Sequence, residues 1–99
     1  MEQKPDDLKG ENLFRALGDR QRQAILRSLR KSELAAGDIA AMLDITPATI
    51  SHHLAVLKRA GLVRVRKEGQ RRIYAINLSV FEEVFMLLAP YLTHQRESV

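Results

Sequence analysis

Three features of the chain predict a mainly helical α+β fold. Apolar residues recur at helical spacing in four segments between residues 10 and 60. The period then changes to two in a pair of short basic runs around a glycine turn, between residues 62 and 76. Helical spacing returns from residue 79, with more large apolar side chains than one thin core covers easily. Four helices, a two-stranded β-hairpin and a last helix follow from that order of periods. A chain of 99 residues makes one domain. It is placed at residues 10–93, with a disordered tail over 1–9 and a frayed tail over 94–99. Chains of this length bury only about 60–65% of their unfolded surface, so association is a common source of added stability.

The first helix is expected over about 10–17, with Leu13, Phe14 and Leu17 on one side. Gly18-Asp19 breaks it, and Asp19 is a good N-cap for a second helix over 20–31. Ile25, Leu26 and Leu29 form the core stripe of that helix. A loop at 32–35 leads to a third helix, 36–43, with Ile39, Ala40 and Leu43 facing inward. Leu43-Asp44-Ile45-Thr46-Pro47 is a tight joint. Thr46 suits the N-cap of a fourth helix, and Pro47 its first position, where the missing N–H costs nothing. That helix runs to about Ala60, with Ile50, His53, Leu54 and Leu57 on one face, and Gly61 ends it.

Leu62-Val63-Arg64-Val65-Arg66-Lys67 alternates apolar and basic, as a half-buried strand does. Glu68-Gly69-Gln70 is a turn, and Arg71-Arg72-Ile73-Tyr74-Ala75-Ile76 alternates again. A lone hairpin is marginal in water, so it must lean on the helices. Ser79-Val80-Phe81-Glu82 has the form of a capping box and opens the last helix. Pro90 is expected to kink that helix or end it near Ala89.

The net charge of +4 hides a block pattern. Residues 20–31 carry five basic and no acidic side chains, and residues 46–77 carry seven basic and one acidic. Both ends and the segment 32–45 are net acidic. Basic blocks between acidic ends suggest one surface that faces a polyanion; the bland alternative is a solvated face with no partner. The chain has no cysteine, which excludes disulfides and thiolate metal sites. No apolar run approaches the roughly 20 residues that span a bilayer, and the N-terminus is polar with no secretory stretch. A bacterial-type cytoplasmic, nucleoid-associated location with no membrane partner is the expectation. No Ser/His/carboxylate spacing and no phosphate-cradling glycine loop is present, so no enzyme activity is expected.

The third and fourth helices with their short joint form a helix-turn-helix candidate. Ala40 supplies the small residue at the crossing, and Asp44 tolerates positive φ at the turn. The outward face of the fourth helix offers Thr46, Pro47, Ala48, Thr49, Ser51 and His52, short or hydrogen-bonding groups suited to a major groove. Lys58, Arg59, Arg64, Arg66, Lys67, Gln70, Arg71 and Arg72 add a basic rim with the wing-like hairpin, the usual division between base and phosphate contacts. The candidate partner is double-stranded DNA. His52 points outward toward it, whereas His53 falls on the inner stripe as a packed histidine. The alternative is a protein-interaction module with no DNA target; it would need exposed apolar residues where this segment is strongly basic.

Three blocks carry a family resemblance. Ala16-Leu17-Gly18-Asp19-Arg20-Gln21-Arg22-Gln23-Ala24-Ile25-Leu26, the run from Thr46 to Val63, and Lys67-Glu68-Gly69-Gln70-Arg71-Arg72-Ile73-Tyr74 resemble, in order, the second-helix entry, recognition helix and wing of the ArsR/SmtB family. The family often has proline where this chain has Arg20. The resemblance covers about residues 12–92. It implies a winged helix-turn-helix with a C-terminal dimerisation helix, acting as a homodimeric repressor on a palindromic operator, with autorepression among the roles it allows. Its dimer contacts come from the first and last helices. Here those helices offer Leu13, Phe14, Leu17, Phe81, Val84, Phe85, Leu88, Tyr91 and Leu92, a stripe that Leu87 widens.

Many relatives implied by this resemblance sense metals or thiol chemistry. One such site follows a Glu-Leu pair on the third helix; after Glu33-Leu34, Ala35 and Gly37 stand in place of its cysteines. A second site uses an aspartate and imidazoles on the last helix. One register puts Phe81, Glu83, His94 and Glu97 there, and another puts Leu78, Val80, Tyr91 and His94, so the set is broken in both. Glu83, His94 and Glu97 are what remains for an oxygen-rich zinc site, and a zinc-responsive repressor on that set is the minor alternative. No metal and no cofactor is expected. The resemblance is to the cysteine-free type without an evident ligand.

Overall fold

The computed structural model describes residues 12–97, with side chains described through Thr93. The tail expected at 1–9, the start of the first helix and the last two residues of the tail expected at 94–99 lie outside the described residues. Helix α1 covers residues 12–17. It is followed by α2 (Arg20–Leu29), β1 (Leu34–Ala35), α3 (Ala36–Leu43), α4 (Pro47–Arg59), β2 (Val63–Glu68), β3 (Arg71–Ile76) and α5 (Leu78–Glu97). Leu13, Ile25, Ile39, Leu54, Leu57 and Leu62 form the centre of the core, each at most 1% exposed. They converge because the helical stripes of α1 to α4 and the start of β2 all turn to one point.

The joints obey local chemistry. Asp19 caps α2 by accepting the Arg22 backbone N–H at 3.0 Å. Asp44 closes α3 in the left-handed conformation, φ 53° and ψ 50°, a region that aspartate tolerates better than most residues. The Ile45 N–H then donates to the Ala40 carbonyl at 3.1 Å. Thr46 caps α4 by accepting the Thr49 N–H at 3.3 Å, with Pro47 in the first turn. Gly61 follows the end of α4 at φ +81°, where a Cβ would be strained. Glu68 pairs with Arg71 across a two-residue turn, whose first position is Gly69 at φ +63°.

Five expectations need correction. Residues 34–35 are not loop: β1 pairs antiparallel with β3, Leu34 opposite Tyr74 and Ala35 opposite Ile73. The sheet therefore has three strands in the order β1-β3-β2. Alternation fails in β3, where Ile73 and Tyr74 are both buried. Tyr74 joins the main core, while Ile73 lies on the opposite face, in register with Ala35 and Arg66. The last helix starts before the Ser79 box. The Asn77 carbonyl accepts the Val80 N–H at 3.1 Å, its own N–H donates to Leu62 at 3.0 Å, and its side-chain amide donates to Gly61 at 2.9 Å. Those bonds pin the end of β3 to the end of α4, so α5 begins at once. Of the two outcomes expected at Pro90, a kink or an end, the end is the one overturned: α5 continues to Glu97. The Thr93 hydroxyl donates to the Ala89 carbonyl at 3.1 Å in the turn that follows the proline.

The fifth correction concerns the terminal stripe. Leu13 (1% exposed) and Val84 (8%) are sealed within the subunit, because α1 and the first turns of α5 close over the core. Leu17 and Phe81 are half-buried against that core. Phe14, Phe85, Leu88, Tyr91 and Leu92 are exposed, with Leu78, Met86 and Leu87 beside them. Beyond Val84, α5 leaves the body of the molecule.

Candidate nucleic-acid interface

Helix α4 is divided cleanly between two environments. Ile50, His53, Leu54 and Leu57 are buried. Pro47, Ala48, Ser51, His52, Ala55, Lys58 and Arg59 are exposed, and Thr49 is half-buried. The core stripe fixes the rotation of the helix, and that rotation presents Ser51 and His52 outward on its first half and Lys58 and Arg59 at its end. Thr46 and Thr49 serve the helix itself: the Thr46 hydroxyl donates to Thr49 Oγ1 at 2.9 Å besides capping the first turn. Their side chains are thus partly committed before any ligand arrives.

The hairpin has two different basic faces. Lys67 and Arg72 are register partners on the face of Val65 and Tyr74. Together with Lys58 they line an open cleft between the end of α4 and the hairpin. Among the described residues none of these three cations forms an ion pair. Arg64, Arg66 and Arg71 lie on the other face. There Arg66 donates to Glu33 at 2.9 Å and to Glu68 at 2.6 Å, and Arg71 donates to Asp38 at 2.6 Å. The hydrogen bonds that Arg66 donates to Glu33 and Glu68 raise its already high pKa, and the Arg66 guanidinium lowers that of Glu68. Gln70 is exposed at the turn. The structure thus brings Lys58, Lys67 and Arg72 together as free cations, with Arg66 also on the lining of their cleft, and holds Arg66 and Arg71 on acidic side chains. The Arg66–Glu33 and Arg71–Asp38 pairings each join residues 33 positions apart, so only the fold reveals them, whereas Glu68 lies two residues from Arg66.

His53 occupies the buried position expected of it. Its Nε2 lies 2.7 Å from Gln21 Oε1 and its Nδ1 lies 3.3 Å from Arg22 Nη1. Burial, first of all, lowers its pKa below 6.5. Arg22 was not singled out from the sequence, although its spacing from the Asp19 cap was visible there. Of the residues named for a metal site, Glu83 is exposed on α5, and the side chains of His94 and Glu97 lie outside the described residues. Among the described residues no helix is long and apolar enough to cross a membrane.

This geometry has known counterparts. Residues 19–65 match the family model described as "Bacterial regulatory protein, arsR family". The chain is 38% identical over 72 residues to the transcriptional repressor SdpR of Bacillus subtilis (strain 168), covering 73% of this chain and 80% of that one. It is 32% identical over 87 residues to the transcriptional activator HlyU of Vibrio cholerae, covering 88% and 81%. The solved structure of HlyU from Vibrio cholerae N16961 superposes with a TM-score of 0.70 at 31% identity, covering 91% of this chain and 99% of that one. An ArsR-like transcriptional regulator from Rhodococcus sp. RHA1 shares the fold, with a TM-score of 0.81 at 24% identity, covering 94% and 88%. The chain belongs to the ArsR family: it is a DNA-binding transcriptional regulator of winged helix-turn-helix fold, and not an enzyme.

Proposed function

We propose that the protein is a homodimeric repressor that binds a palindromic operator without needing a metal, and that its working unit is residues 10–93. Helix α4 lies in the major groove, with Ser51 and His52 at base edges and Thr46, Pro47, Ala48 and Thr49 at the entry of the helix. Lys58, Arg59, Lys67 and Arg72, aided by Arg66, Gln70 and Arg71, meet the phosphates and the flanking groove. The observation that carries this reading is the exposed α4 face bordered by a cleft of unpaired cations, Lys58, Lys67 and Arg72. Phosphate contacts position such a module, and short polar groups at the helix face read sequence.

Two subunits are needed to read two half-sites. The exposed row Phe85, Leu88, Tyr91 and Leu92 on α5, with exposed Phe14 on α1, supports pairing through these two helices. A two-fold axis would set the two α4 helices about 34–36 Å apart, one turn of DNA. Acting on chromosomal DNA places the protein in the bacterial cytoplasm. Repression is favoured over activation by the greater identity to SdpR than to HlyU.

The test is selection of bound duplexes from a random pool with metal-free protein, followed by transcription in vitro from a promoter that carries the selected site. A palindromic consensus and loss of transcript support the reading. A selected pool with no consensus removes sequence-specific binding, and increased transcript makes the protein an activator.

A further inference from the structure

We propose that Arg22 is the positioning residue of the recognition helix, clamping α4 to the corner between α1 and α2 through a neutral His53, and that protonation of His53 loosens the clamp and weakens DNA binding. The inference rests on the reading of α4 as the DNA-reading helix.

Arg22 spends its guanidinium on three partners. Its Nε donates to the Ala16 carbonyl at 2.8 Å and its Nη2 to the Arg15 carbonyl at 3.1 Å, both at the C-terminal end of α1. The Ala16 carbonyl has no N–H partner further along α1, and the Arg15 carbonyl, which already accepts the Gly18 N–H at 3.2 Å, gains a second donor, so the arginine completes the helix end. Its Nη1 faces His53 Nδ1 at 3.3 Å. Arg22 is itself anchored, because its backbone N–H donates to Asp19. One side chain therefore joins α1, α2 and α4.

The His53 ring can complete this arrangement in one protonation state. An arginine N–H can only donate, so Nδ1 must accept. Gln21 Oε1 can only accept, so Nε2 must carry the hydrogen. A second proton on Nδ1 would oppose an N–H to the guanidinium and break the contact. Three charged or titratable groups face the ring. Asp19, from the α1–α2 joint, lies 3.9 Å from Nε2 and favours the imidazolium. Arg22, from α2, opposes it, and so does His52 on α4, its ring centroid 5.6 Å away. Burial of the ring is the largest influence and also opposes it, so the neutral form prevails.

The clamp sits where it matters for reading. His53 directly follows Ser51 and His52, and binding constellations tolerate displacements of only about 0.5 Å. A released His53 lets those two side chains shift relative to the wing. The His52→Gln background leaves His53 as the one histidine of α4.

The experiment measures affinity for the strongest duplex from the selection above, by fluorescence anisotropy, from about pH 7.5 to 5.5. Circular dichroism verifies that the protein stays folded. His52→Gln protein should lose affinity several-fold in acid, up to about tenfold per pH unit below the His53 titration point. The double variant His52→Gln/His53→Gln should bind with little pH dependence. Nitrogen NMR of the unmodified protein should show His53 as the Nε2–H tautomer, titrating below 6.5, and Arg22→Gln should raise that titration point. Binding that is strong at neutral pH and equally strong in acid, or a His53 that carries hydrogen on Nδ1, overturns the clamp alone. Absence of specific binding at every pH overturns the DNA reading and the clamp with it.

Discussion

Arg66 of β2 donates to Glu33 at 2.9 Å across the full width of the sheet, because Glu33 precedes β1 and β1 lies on the far side of β3. A carboxylate there occupies the guanidinium as a DNA phosphate would. Asp38 at the start of α3 does the same to Arg71 at 2.6 Å. Asp38→Asn, and the double variant Glu33→Gln/Glu68→Gln, should therefore free Arg71 and Arg66 and raise affinity for any duplex, with little loss of stability because the pairs are exposed. The slope of log affinity against log salt should steepen by about 0.9 for each new phosphate contact. Lys67→Gln and Arg72→Gln should flatten it by similar steps. A salt titration of binding checks both, and slopes unchanged in all four variants would take the wing out of the interface.

Ser51 and His52 should carry discrimination between sequences. Each good base contact is worth about 1–3 kcal/mol. Ser51→Ala and His52→Ala should reduce affinity for the selected duplex by that amount while sparing most affinity for a scrambled one. Competition binding distinguishes the cases. An equal fall for both duplexes would mean that these side chains only position the backbone.

The projecting part of α5 should hold the dimer. Phe85 and Leu88 are 61% and 44% exposed in one subunit. Phe85→Glu or Leu88→Glu would bury an unpaired charge between subunits, a cost of about 3–5 kcal/mol. That raises the dimer dissociation constant by about two to four orders of magnitude. Sedimentation should show monomers that keep their helical content, because neither residue belongs to the core. Unmodified protein that stays monomeric at tens of micromolar refutes the dimer.

Stability should decline as pH falls from 6.5. His53 has its pKa lowered in the folded protein, chiefly by burial, while the unfolded chain protonates it near 6.5. Below that value the unfolded state binds more protons, so acid favours unfolding. Asp19 works lower on the scale: its pKa is depressed, mainly by the hydrogen bond from the Arg22 N–H, so its contribution holds above about 3.8 and fades beneath. Urea melts between about pH 5 and 7 thus isolate the histidine, and His53→Gln should show a flatter profile than the unmodified protein there.

What could be read from the sequence was local. The stripes of α2, α3 and α4, the caps at Asp19 and Thr46, the turn at Asp44 and the stop at Gly61 all rest on interactions within a few residues, and all appear in the structure. What escaped was decided by distant partners. Strand β1 exists only because β3 is beside it. An apolar stripe says that Leu13, Val84 and Phe85 want cover, but not that the first two find it inside the subunit while the third does not. The wing arginines looked equivalent, and only the fold shows which of them are already paired.

Ala35 is both the last residue of β1 and the residue at the N-terminal boundary of α3. The helix-turn-helix and the wing therefore share a residue, and the Arg71–Asp38 contact braces them a second time. If α4 and the hairpin contact DNA as proposed, then with His53 neutral this bracing makes the protein a calliper that resists a change in the gap between them. Any mismatch of groove width or twist falls on the duplex, whose stiffness depends on its base steps. Bases that no side chain reaches thereby enter the choice of site, through the work needed to bend them into the jaws.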